Sequence, residues 1–97
     1  MQGFVCGYVS IPLKDEDNPS IMMQDIKEFI AREYGSDSHG EEYFTLLGFD
    51  VKPKSLVVKF EKVDWSDYED GGKELKRDLK DAFSCLPYPF SVEIEYE

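Results

Sequence analysis

Residues 55–63, SLVVKFEKV, residues 66–86, SDYEDGGKELKRDLKDAFSCL, and residues 90–97, FSVEIEYE, decide the fold between them. The first alternates with period two: Leu56, Val58 and Phe60 on one face, Val57, Lys59 and Glu61 on the other, as a strand does. The second repeats at helical spacing through Leu75, Leu79, Ala82, Phe83 and Leu86. Ser66-Asp67-Tyr68-Glu69 fits a capping box. Tyr68 is in phase with the apolar face, so a start near Asp67 and a start near Gly72 are both compatible with the pattern. Gly71 and Gly72 weaken the earlier start by about 1 kcal/mol each relative to Ala. Pro87 and Pro89 end the helix. The third stretch alternates again, Phe90, Val92, Ile94 and Tyr96 inward, Ser91, Glu93, Glu95 and Glu97 outward.

The same unit precedes it in the chain. Phe4 to Leu13 is rich in Val, Ile, Tyr and Phe and reads as a strand, with Pro12 at an edge or beyond the ladder. Lys14 to Asp17 is a charged loop. Asn18-Pro19 pairs a helix cap with a favoured first residue. Met22, Ile26, Phe29 and Ile30 follow at helical spacing, and Tyr34-Gly35 stops the helix. A polar loop, Gly35 to Gly40, leads to a second strand, Glu42 to Val51, and Pro53-Lys54 turns the chain into the third. The order is β-α-β-β-α-β, the split βαβ pattern of ferredoxin-like α+β folds. The expectation is a single domain over residues 1–97: two helices on one face of a four-stranded, mostly antiparallel sheet.

Charge narrows the function. The chain has 97 residues, with 21 Asp and Glu against 11 Lys and Arg, a formal net charge of -10. Nucleic acid and anionic membrane surfaces repel such a chain, so its partners are expected to be cations or basic protein surfaces. No basic stretch followed by a long apolar run opens the sequence, and no segment approaches the roughly 20 apolar residues of a membrane span. A cytoplasmic protein is expected. Cys6 and Cys85 lack metal-ligand spacing and are expected to be buried thiols rather than a bridge.

Catalytic chemistry finds little support. His39 is the lone histidine, set between Ser38 and Gly40 in a polar loop without a frame to position it. No Cys-x-x-Cys, His-x-x-x-His or glycine-rich phosphate loop is present. The families that share this topology carry function on residues this chain lacks. Acylphosphatases have an Arg-bearing anion loop where Ile11-Pro12-Leu13-Lys14-Asp15-Glu16 stands. Metal-chaperone domains have Cys-x-x-Cys in that loop. RNA-recognition domains set aromatic and basic residues on the first and third strands, where Leu56-Val57-Val58-Lys59-Phe60-Glu61 runs here. Asp64, Asp67, Glu69 and Asp70 cluster without the oxygen spacing, central Gly or closing Glu of a calcium loop. Their plainer role is to complement a helix N-terminus. The expectation is no enzyme, no cofactor and no metal.

The carboxylates are ordered, however. At about 100° per residue, Asp67, Asp70, Glu74, Asp78 and Asp81 fall in one stripe of the second helix. Lys73, Lys76, Arg77 and Lys80 fall on another. A solvated face held by pairs such as Arg77 with Asp81 is the plain alternative, but Glu74 and Asp78 are a like-charge i,i+4 pair. Steps along the stripe are roughly 5–6 Å. Glu93, Glu95 and Glu97 are roughly 6.6–6.8 Å apart along a strand. Both spacings are on the scale of successive phosphates, so such rows fit a groove whose Lys and Arg normally hold DNA.

With these rows, its length and its charge, the chain resembles the small phage-encoded anti-CRISPR proteins that act as DNA mimics, particularly those directed at the type I-F surveillance complex. The resemblance is one of general character, carried by Asp64 to Asp81 and Glu93 to Glu97, and no motif transfers residue by residue. It implies a protein that keeps target DNA out of the complex, at the basic surface of the large subunit that grips the duplex. The partner-binding residues expected are Asp64, Asp67, Glu69, Asp70, Glu74, Asp78, Asp81, Glu93 and Glu95. Two other readings use the same sequence: an immunity or antitoxin-like protein neutralising a basic enzyme, and a small adaptor working through an apolar face.

Overall fold

The computed structural model describes residues 3–34, 44–64 and 70–96. Among them run β1 (Gly3–Pro12), α1 (Pro19–Tyr34), β2 (Thr45–Val51), β3 (Ser55–Asp64), α2 (Asp70–Ser84) and β4 (Ser91–Tyr96). The strands form one antiparallel sheet in the order β2-β3-β1-β4. This is the expected ferredoxin-like α+β arrangement.

Each element starts and stops for local reasons. Asn18 caps α1, its Oδ1 accepting from the backbone N–H of Ser20 at 3.0 Å and of Ile21 at 3.3 Å, and Pro19 fills the first helical position, where no N–H is needed. Pro12 closes β1 opposite Ser55, past the last β1–β4 pair, Ser10 with Ser91. There its missing N–H breaks no ladder on the β4 side. The second helix is described from Asp70 to Ser84, so it includes Gly71 and Gly72, and a start near Asp67 lies outside the described residues. The Ser66–Glu69 capping box and the loop holding His39 lie outside the described residues. The second strand starts at Thr45; Glu42 and Tyr43 also lie outside them.

Register assigns the two sheet faces. Val5, Val9 and Ile11 of β1 pair with Lys62, Val58 and Leu56 of β3, and Val9 and Gly7 pair with Val92 and Ile94 of β4. These residues look toward the helices, and Val5, Val9, Ile11, Leu56 and Val58 are buried with Met22, Ile26, Leu75, Leu79, Ala82 and Phe83. Each such side chain removed from water contributes roughly 1.5–3 kcal/mol. An aromatic chain crosses this core: Phe44 to Phe60 at 5.1 Å between centroids, Phe60 to Phe83 at 5.8 Å and Phe83 to Phe90 at 5.8 Å. The first two contacts are edge-to-face, a favoured geometry for ring quadrupoles. Tyr8, Cys6, Lys59, Glu61, Glu93 and Glu95 occupy the opposite, open face.

Helix α1 sits toward β2, with Lys27 Nζ 5.9 Å from the Phe49 ring centre. Helix α2 lies over β1 and β4, and it comes very close. A methyl group at Gly7 would stand 2.6 Å from Leu79 Cδ1 and 3.1 Å from Leu75 Cδ2. At Gly72 it would fall on the phenol of Tyr96, so this glycine lets the end of β4 lie against the first turn of α2. Two expectations need correction here. Cys85 is exposed rather than buried, because it follows the last turn of α2; only Cys6 is buried, and the two are not bridged. Tyr96 lies on the helix side as its alternation requires, yet it is 54% exposed, since β4 is an edge strand and the ring sits at its end.

Gly7→Ala is expected to lower unfolding free energy by about 1–3 kcal/mol, the usual cost of overpacking a closed core. The midpoint of chemical denaturation measures it. Gly48→Ala, where nothing lies within 4 Å of the added carbon, should stay within about 0.5 kcal/mol of the parent.

Candidate acidic interface

Two groups of carboxylates remain to be placed, one on α2 and one on β4. The α2 group is tied to the sheet. Lys62, whose side chain is 14% exposed, reaches from β3 to Glu74 Oε2 at 3.2 Å and to Asp78 Oδ2 at 3.9 Å. Arg77 Nε stands 3.9 Å from Asp78 Oδ1, so Arg77 meets its neighbour Asp78 rather than the expected Asp81. The like-charge neighbours Glu74 and Asp78 therefore share one cation, which offsets their repulsion.

Asp78 is only 18% exposed. Burial holds its carboxyl above the ordinary value of 3.8, against the pull of Lys62 and Arg77 and with a push from Glu74 and Asp81. Desolvation disfavours the charged form of a carboxylate, and here it outweighs the two cations. Glu74, with half its side chain exposed, and Asp81, fully on the surface, remain open to solvent.

Helical geometry fixes what lies on the two flanks of α2. Leu75 and Leu79 point down onto Gly7. Glu74 and Asp78 lie toward β3, where Lys62 meets them. Gly72 meets Tyr96 on the other side, so the lysines that follow at helical spacing, Lys73, Lys76 and Lys80, lie on the flank toward β4. All three are exposed, as is Arg77.

The β4 group is arranged differently. Glu93 pairs with Tyr8 and Glu95 with Cys6, so both carboxylates stand on the open face of the sheet. Both are exposed, and no ion pair among the described residues reaches either. Glu61 of β3 pairs with the same Cys6 from the other side, which puts a third carboxylate two strands away, at about 10 Å. Lys59, opposite Tyr8, is a cation on that same face.

The nine residues expected to bind a partner thus separate. Glu93 and Glu95 share the open face, with Glu61 as a neighbour that its sequence context did not single out. Glu74, Asp78 and Asp81 are on α2, across the sheet. Asp64 and Asp70 fall at the ends of β3 and α2, and Asp67 and Glu69 lie outside the described residues. Among the described residues no group of three or more His, Cys, Asp or Glu is placed to hold a metal ion. No described helix is long and apolar enough to cross a membrane. Compared with models of known families, with curated proteins and with solved structures, the chain matches none.

Replacing Lys62 by Met should cost about 1 kcal/mol or more, because Asp78 would keep its burial and lose one of its two cations. Asp78→Asn has the opposite sign. The folded carboxyl holds its proton more tightly than the unfolded one, so its charged form subtracts from stability above the raised folded value. The penalty fades as pH falls toward 3.8. Asp78→Asn should therefore gain most over the parent at neutral pH and least in acid, which thermal melts across that range will show.

Proposed function

We propose that the protein is an acidic, non-enzymatic inhibitor that occupies the DNA-binding site of a basic protein complex. The version that fits its size and charge is an anti-CRISPR protein that keeps target DNA from a type I surveillance complex in the cytoplasm of a bacterial host. The observation that carries the reading is the pair Glu93 and Glu95, exposed and without an ion pair among the described residues, on a rigid strand. Their separation of roughly 6.6–6.8 Å is near that of successive phosphates. A groove lined by Lys and Arg would exchange its phosphates for these carboxylates with little rearrangement.

The geometry also ranks the carboxylates. Asp78 is half-buried and tied to Lys62, so reversing its charge would disturb the fold along with any interface. Glu93, Glu95 and Asp81 are exposed and report on binding alone. A basic enzyme neutralised by the same surface is the nearest rival, and DNA competition separates the two.

Glu93→Lys combined with Glu95→Lys should weaken binding to a DNA-binding complex at least ~100-fold, as loss of two charge-assisted contacts does. Circular dichroism should be unchanged. Affinity of the parent should fall steeply as salt rises, since exposed charges are screened. Binding that ignores both the double reversal and salt, or that persists under saturating duplex DNA, would remove the mimicry reading in favour of an apolar interface.

A further inference from the structure

Among the described residues the strand order leaves two edges, β2 and β4. An edge strand turns alternate N–H and C=O groups away from its single neighbour, and proteins block such rows with bulges, prolines or charge. The β2 edge is blocked in the first way: its register shifts between Leu46 and Gly48, which bends the strand and breaks its pairing row. The β4 edge is not. It pairs with β1 over six consecutive residues, Ser91 to Tyr96, in unbroken register, and holds neither proline nor glycine.

What guards β4 is charge of one sign on one face. Glu93 and Glu95 project on the open face, and Val92 and Ile94 are half-buried on the other. A second copy of the chain is rejected there. Antiparallel self-pairing about Ile94 would set each Glu93 opposite the other copy's Glu95, two like-charge cross-strand pairs, between chains that each carry -10.

A strand of the opposite charge meets no such barrier. We infer that the β4 edge takes up an extended segment of a protein partner in which Lys or Arg alternate with apolar residues. The alternation of the guest matches that of the host. Its cations stand opposite Glu93 and Glu95, at the same two-residue spacing. Its apolar residues continue the row of Val92, Ile94 and Tyr96, beneath the aliphatic stems of the lysines on the near flank of α2. The main-chain ladder supplies affinity and the charges supply register. The inference rests on the reading of the partner as basic and adds the form in which that partner binds.

The test uses the whole chain, labelled with nitrogen-15, and three capped peptides as long as β4, 6 residues. One alternates Lys and Val. One is the same peptide N-methylated at alternate residues, which removes the ladder and keeps every charge. One groups the lysines and valines in separate blocks. The alternating peptide should shift the amides of 91–96 and slow the exchange of the outward ones at least ~10-fold. The N-methylated and blocked peptides should bind at least ~10-fold more weakly. Glu93→Lys with Glu95→Lys should lose the Lys–Val peptide and gain a Glu–Val one. Equal binding by the N-methylated peptide, shifts centred on α2, or no binding at millimolar peptide would each overturn edge pairing. Equal binding by the N-methylated peptide would leave an acidic surface that holds basic partners through side chains alone. Peptide pairing as described, with no competition from duplex DNA at the complex, would overturn mimicry and leave the edge site standing.

Discussion

The contact of Leu75 and Leu79 with the backbone of Gly7 sets the position of everything else. A methyl group at residue 7 would press on the Leu75 and Leu79 side chains, so the close approach of the helix depends on the absence of one carbon atom. With the leucines seated, the helix cannot roll. Glu74 and Asp78 are then held over β3, within reach of Lys62, and the lysines are held over the β4 side. The sorting of charge by flank follows from an apolar contact between them.

That sorting limits how the acidity can act. A charge of -10 suggests a uniformly anionic body, but α2 spends two of its carboxylates on Lys62 and turns cations toward the rim of the sheet. The carboxylates that remain open on a rigid surface are fewer, and those of β4 lie across the sheet from those of α2. A partner gripping the open face meets Glu61, Glu93 and Glu95, and meets the α2 row only by reaching around an edge.

The fold was legible because each element is written locally. Asn18-Pro19 announces α1, the apolar period of Leu75 to Phe83 announces α2, and the alternation of Leu56 to Glu61 and of Phe90 to Tyr96 announces two strands. The strand order followed from topology. The electrostatic partner of α2 was not legible, because Lys62 lies 12 residues from Glu74 and reads as one more polar residue near the end of a strand. Alternation puts it on the face of Leu56, Val58 and Phe60, but only the packing of α2 beside β3 brings Glu74 and Asp78 to it. Glu61 was missed for the same reason: its closeness to Glu95 depends on two strands pairing with opposite sides of Cys6. Cys85 was misread because the helix ends at Ser84, two residues sooner than its apolar pattern, which runs on to Leu86.

The strand order also has a consequence in time. The first described strand, β1, lies in the middle of the sheet, and both of its neighbours come later in the chain, at residues 55–64 and 91–96. Its roof, α2, is also late. A ribosome delivers the central strand before either of its neighbours. Such long-range pairings are slow to close, and an N-terminal segment of apolar, β-branched residues is exposed while they are awaited. Until β4 emerges, β1 is itself an open edge, without the glutamates that will later stand beside it. Emergence of β4 and protection of the central strand are therefore the same event.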